Sequence, residues 1–203
     1  MDETMNKSRV EAFIDAIIAI VLTVLILEIK VPNEPSLKLF FGEWRMAFSY
    51  LMTFILVMFS WYVQHGMFLR IKRVQLGGFI GVCVWLFVLS FLPVTTAFVG
   101  RFPRYWGAEL VYLITGLIWL FSAQFMSWLI IRENQDVPEM KEFVKRQAGS
   151  VMLWSNIAWT IFASAAIFVV PEVGVLTPVV TVIIQVFSNQ HRNRQLRRTE
   201  TDD

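Results

Sequence analysis

Long apolar runs broken by short charged clusters constrain this chain more than any other feature. The runs lie near 10–31, 46–69, 76–99, 108–131, 149–170 and 173–188, and most reach the roughly 20 residues a helix needs to cross the hydrocarbon core of a bilayer. With 56% hydrophobic and only 17% charged residues and a mean hydropathy of +0.57, the chain is well above the apolar content of a soluble domain. The expectation is an all-α integral membrane protein with six transmembrane helices in a single domain over 1–203. The last run is short, contains Pro178, and is separated from its neighbour only by Pro171 and Glu172. That arrangement predicts a tight outer hairpin.

Charge placement sets the orientation. With six spans, thirteen Lys and Arg residues fall on the side of the N-terminus and five on the other, so the positive-inside rule places both termini in the cytoplasm. The basic tail 189–203, with "HRNRQLRR", follows a span directly and reads as a lipid-headgroup anchor, not a nucleic-acid site. Cys83 is the single cysteine, which excludes an internal disulfide and any cysteine-based metal set. The first run is long and holds Asp15, so it is expected to stay as a span instead of being cleaved as a signal peptide. Of the two longest connections, "KVPNEPSLKLFFGEWR" ends a helix at Pro32 and Pro35 and then offers Leu37, Leu39, Phe40, Phe41 and Trp44 to the membrane interface. The other, "RENQDVPEMKEFVKRQ", pairs Glu142 with Arg146 at helical spacing and reads as a solvated helix extension.

The first helix divides into faces at 100° per residue. Phe13, Ile17, Ile20, Val24 and Leu27 form a bulky apolar stripe, and Ala12, Ala16, Ala19 and Thr23 a small-residue stripe of the kind that lets helices approach closely in lipid. On spacing alone the bulky stripe reads as lipid contact or core packing. Asp15 is harder to place, because a carboxylate inside a span costs roughly 2.5 kcal/mol or more near the bilayer centre. It points about 140–160° from the bulky stripe, which favours structural pairing over ion or proton carriage.

A partner stands in "SWYVQHGMFLRIKR", where Trp61 and His65 share one face of the second long helix. Asp15 lies about 9 Å past Arg9 and His65 about 7.5 Å before Arg70, at similar cytoplasmic depth. Arg9, Asp15, Trp61 and His65 would then satisfy one another as a buried network, with a pH-sensing role for His65 the lesser reading.

These residues resemble the transmembrane protein 175 family of potassium channels in its single-repeat prokaryotic form. Arg9, Phe13, Asp15, Ala19, Ile20 and Thr23, followed by "LEIKVP", fall where that family's first-helix motif places them, and Trp61 and His65 are similar to its second helix. Ile14 stands where the motif has Ser, and Ala16 where Gly is common. The resemblance implies a homotetramer in the cell (inner) membrane with a central pore lined by helix 1, passing potassium without a cofactor. It further implies that Ile20 forms the main constriction, that Val24 and Leu27 add apolar rings, and that Arg9, Phe13, Asp15, Trp61 and His65 belong to the supporting polar site. Thr23 would offer an oxygen beside the ring or bond to its own helix's carbonyl.

A single lining helix per chain cannot enclose a pore, so this reading requires a closed ring of subunits. There is no TVGYG loop, so selectivity has to come from a narrow apolar ring at which potassium sheds water more readily than sodium. Other positions offer less. Gly77, Gly78 and Gly81 read as a packing patch, Glu109, Gln124 and Gln185 as isolated polar residues of a conceivable transporter cavity, and Glu28 as a cation attractor or a partner of Lys30 or Lys38. No HExxH, GxSxG or paired catalytic acids occur, so no enzyme is expected. The rival reading is a proton-coupled secondary transporter using Asp15 and His65, and a weaker one is a structural subunit.

Overall fold

The structure, a computed structural model, describes residues 5–140 and 150–187. Its helices in chain order are α1 (Lys7–Leu27), α2 (Leu37–Gly42), α3 (Trp44–Phe68), α4 (Leu76–Leu89), α5 (Leu92–Arg101), α6 (Trp106–Glu133) and α7 (Ser150–Ala166). A 3-10 stretch, Pro171–Leu176, then leads into a last apolar helix over Val173–Phe187. Among the described residues there is no sheet, only an isolated bridge between Met5 and Val74. The expected Glu142–Arg146 pair and the basic tail lie outside the described residues.

Four of the six expected spans are helices long and apolar enough to cross a membrane: Lys7–Leu27, Trp44–Phe68, Leu76–Arg101 and Trp106–Glu133. The fifth region holds α7, Ser150–Ala166, and the sixth the shorter apolar helix Val173–Phe187. The first span ends at Leu27, four residues before the expected 31, where Glu28 caps the helix ahead of Pro32. The segment expected at the interface forms α2, capped by Ser36, whose hydroxyl accepts from the Leu39 N–H at 3.4 Å. Leu37, Phe40, Phe41 and Trp44 stay exposed.

The third span is broken in the middle. Pro93 has no N–H and its ring crowds the carbonyl four residues back, so α4 ends at Leu89 and α5 begins at Leu92. The Ser90 hydroxyl donates to the Phe87 carbonyl at 2.6 Å within the break.

The core lies between α4 and α6. Trp85 and Trp119, both fully buried, stack at 6.1 Å between ring centroids, flanked by Val82, Leu89, Met126 and Ile130. Gly81 makes this approach possible, because a Cβ there would lie 2.9 Å from the Met126 Cα. The three glycines therefore serve packing, as their spacing suggests.

The helix α1 packs on this core through a stripe different from the one expected. Val10, Ile14, Ile18, Val21 and Leu25 are its buried residues, whereas Ala12, Ala16, Ala19 and Thr23 are exposed. At 100° per residue the small stripe lies almost opposite the buried one, so it has no packing role within the chain. The correction has a physical cause: α1 meets the large side chains of its own bundle across a branched, space-filling face, which small residues would leave full of voids.

Candidate functional site

One end of the bundle gathers the start of α1, the 70–75 connection and the end of α6. The Met5 N–H donates to the Val74 carbonyl at 2.8 Å, and the Lys7 ammonium to the Ile71 carbonyl at 3.1 Å. Asn134 is the hub. Fully buried, its side-chain oxygen accepts from the Lys72 and Arg73 N–H groups at 3.0 and 3.2 Å. Its amide nitrogen donates to the carbonyls of Arg73 and Ile130, both at 2.9 Å. Beside it the Glu133 carboxylate accepts from the N–H groups of Gln75 and Gly78 at 2.9 and 2.6 Å, capping the N-terminus of α4, where negative charge is favoured. Arg73 closes the set on Asp136 at 3.0 Å. Sequence reasoning missed this lock, since nothing separates Asn134 from the other polar residues of its connection.

The polar residues of α1 and α3 meet one turn inside this end. The Trp61 indole N–H donates to Asp15 Oδ1 at 2.7 Å. His65 stacks on Trp61 with centroids 5.3 Å apart and 12° between planes, and its Nδ1 lies 3.2 Å from Glu11 Oε1. The structure thus brings Asp15, Trp61 and His65 together and adds Glu11, which the motif does not include. The network is not buried within the chain as expected: Asp15 is exposed, and Trp61 and His65 are half-buried. Glu11 and Asp15 stand four apart on α1 as Trp61 and His65 do on α3, so the two pairs form parallel rungs. The Arg9 side chain is exposed and makes no hydrogen bond or ion pair among the described residues. Phe13, 43% exposed, lies 6.4 Å from the Phe79 ring. Ile14, in the place of the motif's serine, is packed in the core and takes no part in the polar contacts.

Hydrogen bonds to charged groups contribute about 1.5–3 kcal/mol. Trp61→Phe keeps the ring stack and removes the indole N–H, so it is expected to lower the unfolding free energy in detergent by about 2 kcal/mol. Denaturant titration checks this, and a variant as stable as the wild type would show that the bond carries no weight.

The bulky stripe faces away from the bundle at most of its positions. Ile20 is 57%, Val24 42% and Leu27 77% exposed, while Ile17 is half-buried against the core. The Thr23 hydroxyl donates to the Ile20 carbonyl at 2.7 Å, the second of the two roles expected for it. Glu28 forms no ion pair with Lys30 or Lys38.

The remaining polar candidates do not converge. Glu109 is fully buried at the start of α6, facing Gly174 closely enough that a Cβ there would meet its carboxylate. Gln124 is exposed about 22 Å further along the same helix. A buried hydroxyl chain also escaped notice: Thr53 Oγ1 lies 2.9 Å from both Thr96 Oγ1 and the Tyr112 hydroxyl, joining α3, α5 and α6. No group of three or more His, Cys, Asp or Glu able to hold a metal occurs among the described residues.

A bundle with four helices long and apolar enough to cross a bilayer defines a multi-pass membrane protein. Residues 9–93 match the family described as the endosomal/lysosomal potassium channel TMEM175. A potassium channel of Chryseobacterium sp. (strain P1-3) is 34% identical over 101 residues, covering 47% of this chain and 50% of the relative. A proton channel TMEM175 of Gallus gallus is 29% identical over 144 residues, 63% of this chain and 28% of the relative. The chain spans about half the length of the bacterial relatives it matches. In fold it is similar to the crystal structure of a lysosomal potassium-selective channel TMEM175 homolog from Chamaesiphon minutus. The TM-score is 0.69 at 23% identity, over 90% of this chain and 98% of the other. The sequence likeness to that family falls on residues 9–93, the part of the chain that carries α1, α3 and α4.

Proposed function

We propose that this chain forms a potassium-permeable channel in the cell (inner) membrane, with both termini cytoplasmic and α1 of four identical subunits around a central pore. The single observation that carries this reading is the division of α1 into a buried branched stripe and an uncovered apolar row, Ile20, Val24 and Leu27. In a fourfold ring that row supplies stacked apolar constrictions, Ile20 innermost. A passage of this kind gates by dewetting. The exposed Ala12, Ala16 and Ala19 then provide the small surface on which neighbouring copies of α1 approach. Asp15 bonded to Trp61, with Glu11 at His65, sets the rotation of α1 against α3 and thereby the aim of Ile20. The bacterial relatives' names as potassium channels support the choice of ion.

The animal relatives named proton channels favour a second reading, in which protons permeate or drive transport. Purified protein in liposomes separates the two. A channel gives passive potassium efflux that follows an imposed voltage and needs no pH gradient. Saturable uptake that requires a proton gradient and vanishes in Asp15→Asn would replace it with the transporter, and liposomes with no flux at all would leave only a structural subunit.

A further inference from the structure

The opposite end of the bundle carries a pocket that the pore reading does not use. Arg45 at the start of α3, Arg101 in the last turn of α5 and Arg104 in the α5–α6 connection line a space of about 510 Å³ with Phe102, Pro103 and Tyr105. These are three of only five basic residues that the six-span reading places on this side, and no acidic residue lines the pocket. Arg45 is held over the Trp44 ring at 5.3 Å, which orients its guanidinium before any ligand arrives. Neither Arg45 nor Arg101 forms an ion pair among the described residues.

We propose that this pocket binds the headgroup phosphate of an anionic phospholipid. Guanidinium groups pair with phosphate oxygens through two parallel N–H bonds, and two or three of them around one space match a phosphodiester better than a chloride ion. The location argues for a lipid over free phosphate. The pocket sits where α3 begins, α5 ends and α6 begins, among exposed Trp44, Phe102, Tyr105 and Trp106. That is the aromatic girdle level at which lipid phosphates lie. The apolar walls suit the glycerol ester region below the phosphate. A bound headgroup would tie the ends of α3 and α5 together on the face of the bundle remote from the Asn134 lock.

Native mass spectrometry of the full-length protein in neutral detergent tests this with phosphatidylglycerol, phosphatidylcholine and inorganic phosphate as probes. The wild type should retain phosphatidylglycerol in preference to phosphatidylcholine. In Arg45→Gln/Arg101→Gln one phosphatidylglycerol per chain should bind about thirtyfold more weakly, the combined loss of two basic residues near a charged headgroup. Lys at both positions should give an intermediate affinity, because charge remains and the fork is lost. Equal phosphatidylglycerol binding by wild type and the Gln variant overturns the proposal. So does a wild type without preference between the two lipids, a result that stands even where the Gln variant fails to fold. Inorganic phosphate that displaces the lipid at equal concentration would make this a free-anion site, which also overturns it.

Discussion

Ile20→Asn is expected to raise potassium flux through the reconstituted protein about tenfold and to erode its discrimination against sodium. Ile20 is 57% exposed on α1, whose neighbouring stripe from Val10 to Leu25, about 100° around the helix, is buried in the bundle. In a ring of four subunits, four isoleucine side chains close on one another and present nothing that replaces an ion's water. An amide at each position hydrates the ring, and a barrier lower by about 1.4 kcal/mol speeds passage tenfold. Four amides, one from each subunit, are expected to reach at least that, because each replaces part of the water the ion gives up. Val24→Asn, one turn further along, is expected to act in the same direction with a smaller effect. Flux unchanged in Ile20→Asn at equal amounts of assembled protein would remove Ile20 from the passage.

Asn134→Ala is expected to cost about 3–5 kcal/mol of stability, which is large for one residue. Four hydrogen bonds from one fully buried side chain disappear, leaving the Lys72 and Arg73 N–H groups without their acceptor where water does not easily follow. Asn134→Asp keeps the acceptor and loses the donor, so its loss should be intermediate. Denaturant unfolding in detergent is the measurement. None of the four bonds reaches α1, so flux per folded protein should stay near the wild-type value. An alanine variant within about 0.5 kcal/mol of the wild type would show that the 70–75 connection holds its place by other means.

How much of this was legible beforehand follows from what periodicity encodes. Apolar length is a property of contiguous residues, so the four long spans and the interfacial segment at Leu37–Trp44 could be read directly. The break at Ser90–Phe91 could have been read from Pro93, which has no N–H to donate within a helix. The pairing of α1 with α3 was accessible because Asp15 is costly to leave unpartnered in lipid and sits at a depth matching His65, one turn from Trp61. Glu11 was not, since near a helix end a carboxylate is easily solvated and gives no sign of needing a partner.

The faces of α1 mark the boundary. Two stripes of the helix, one bulky and one small, were visible by spacing. Neither of them turns inward: which side does depends on the shapes of α3, α4 and α5, far away in sequence. The branched stripe Val10, Ile14, Ile18, Val21 and Leu25 took the interior because it fills the space beside Leu86, Leu89 and Leu92. Three of the four contacts of Asn134 depend in the same way on a segment some sixty residues away in sequence.

By itself, then, the sequence determined that this chain lives in a membrane as a set of helices, where four long apolar stretches of it run, and which few polar residues must find partners, because each of these follows from the free energy of placing a side chain in lipid. The tertiary structure alone decided which side of α1 remains open, that Glu133 and Asn134 fasten the far ends of three helices, and that three arginines from separate elements surround one pocket. Those outcomes rest on packing and hydrogen-bond geometry between distant segments, which no local pattern of residues carries.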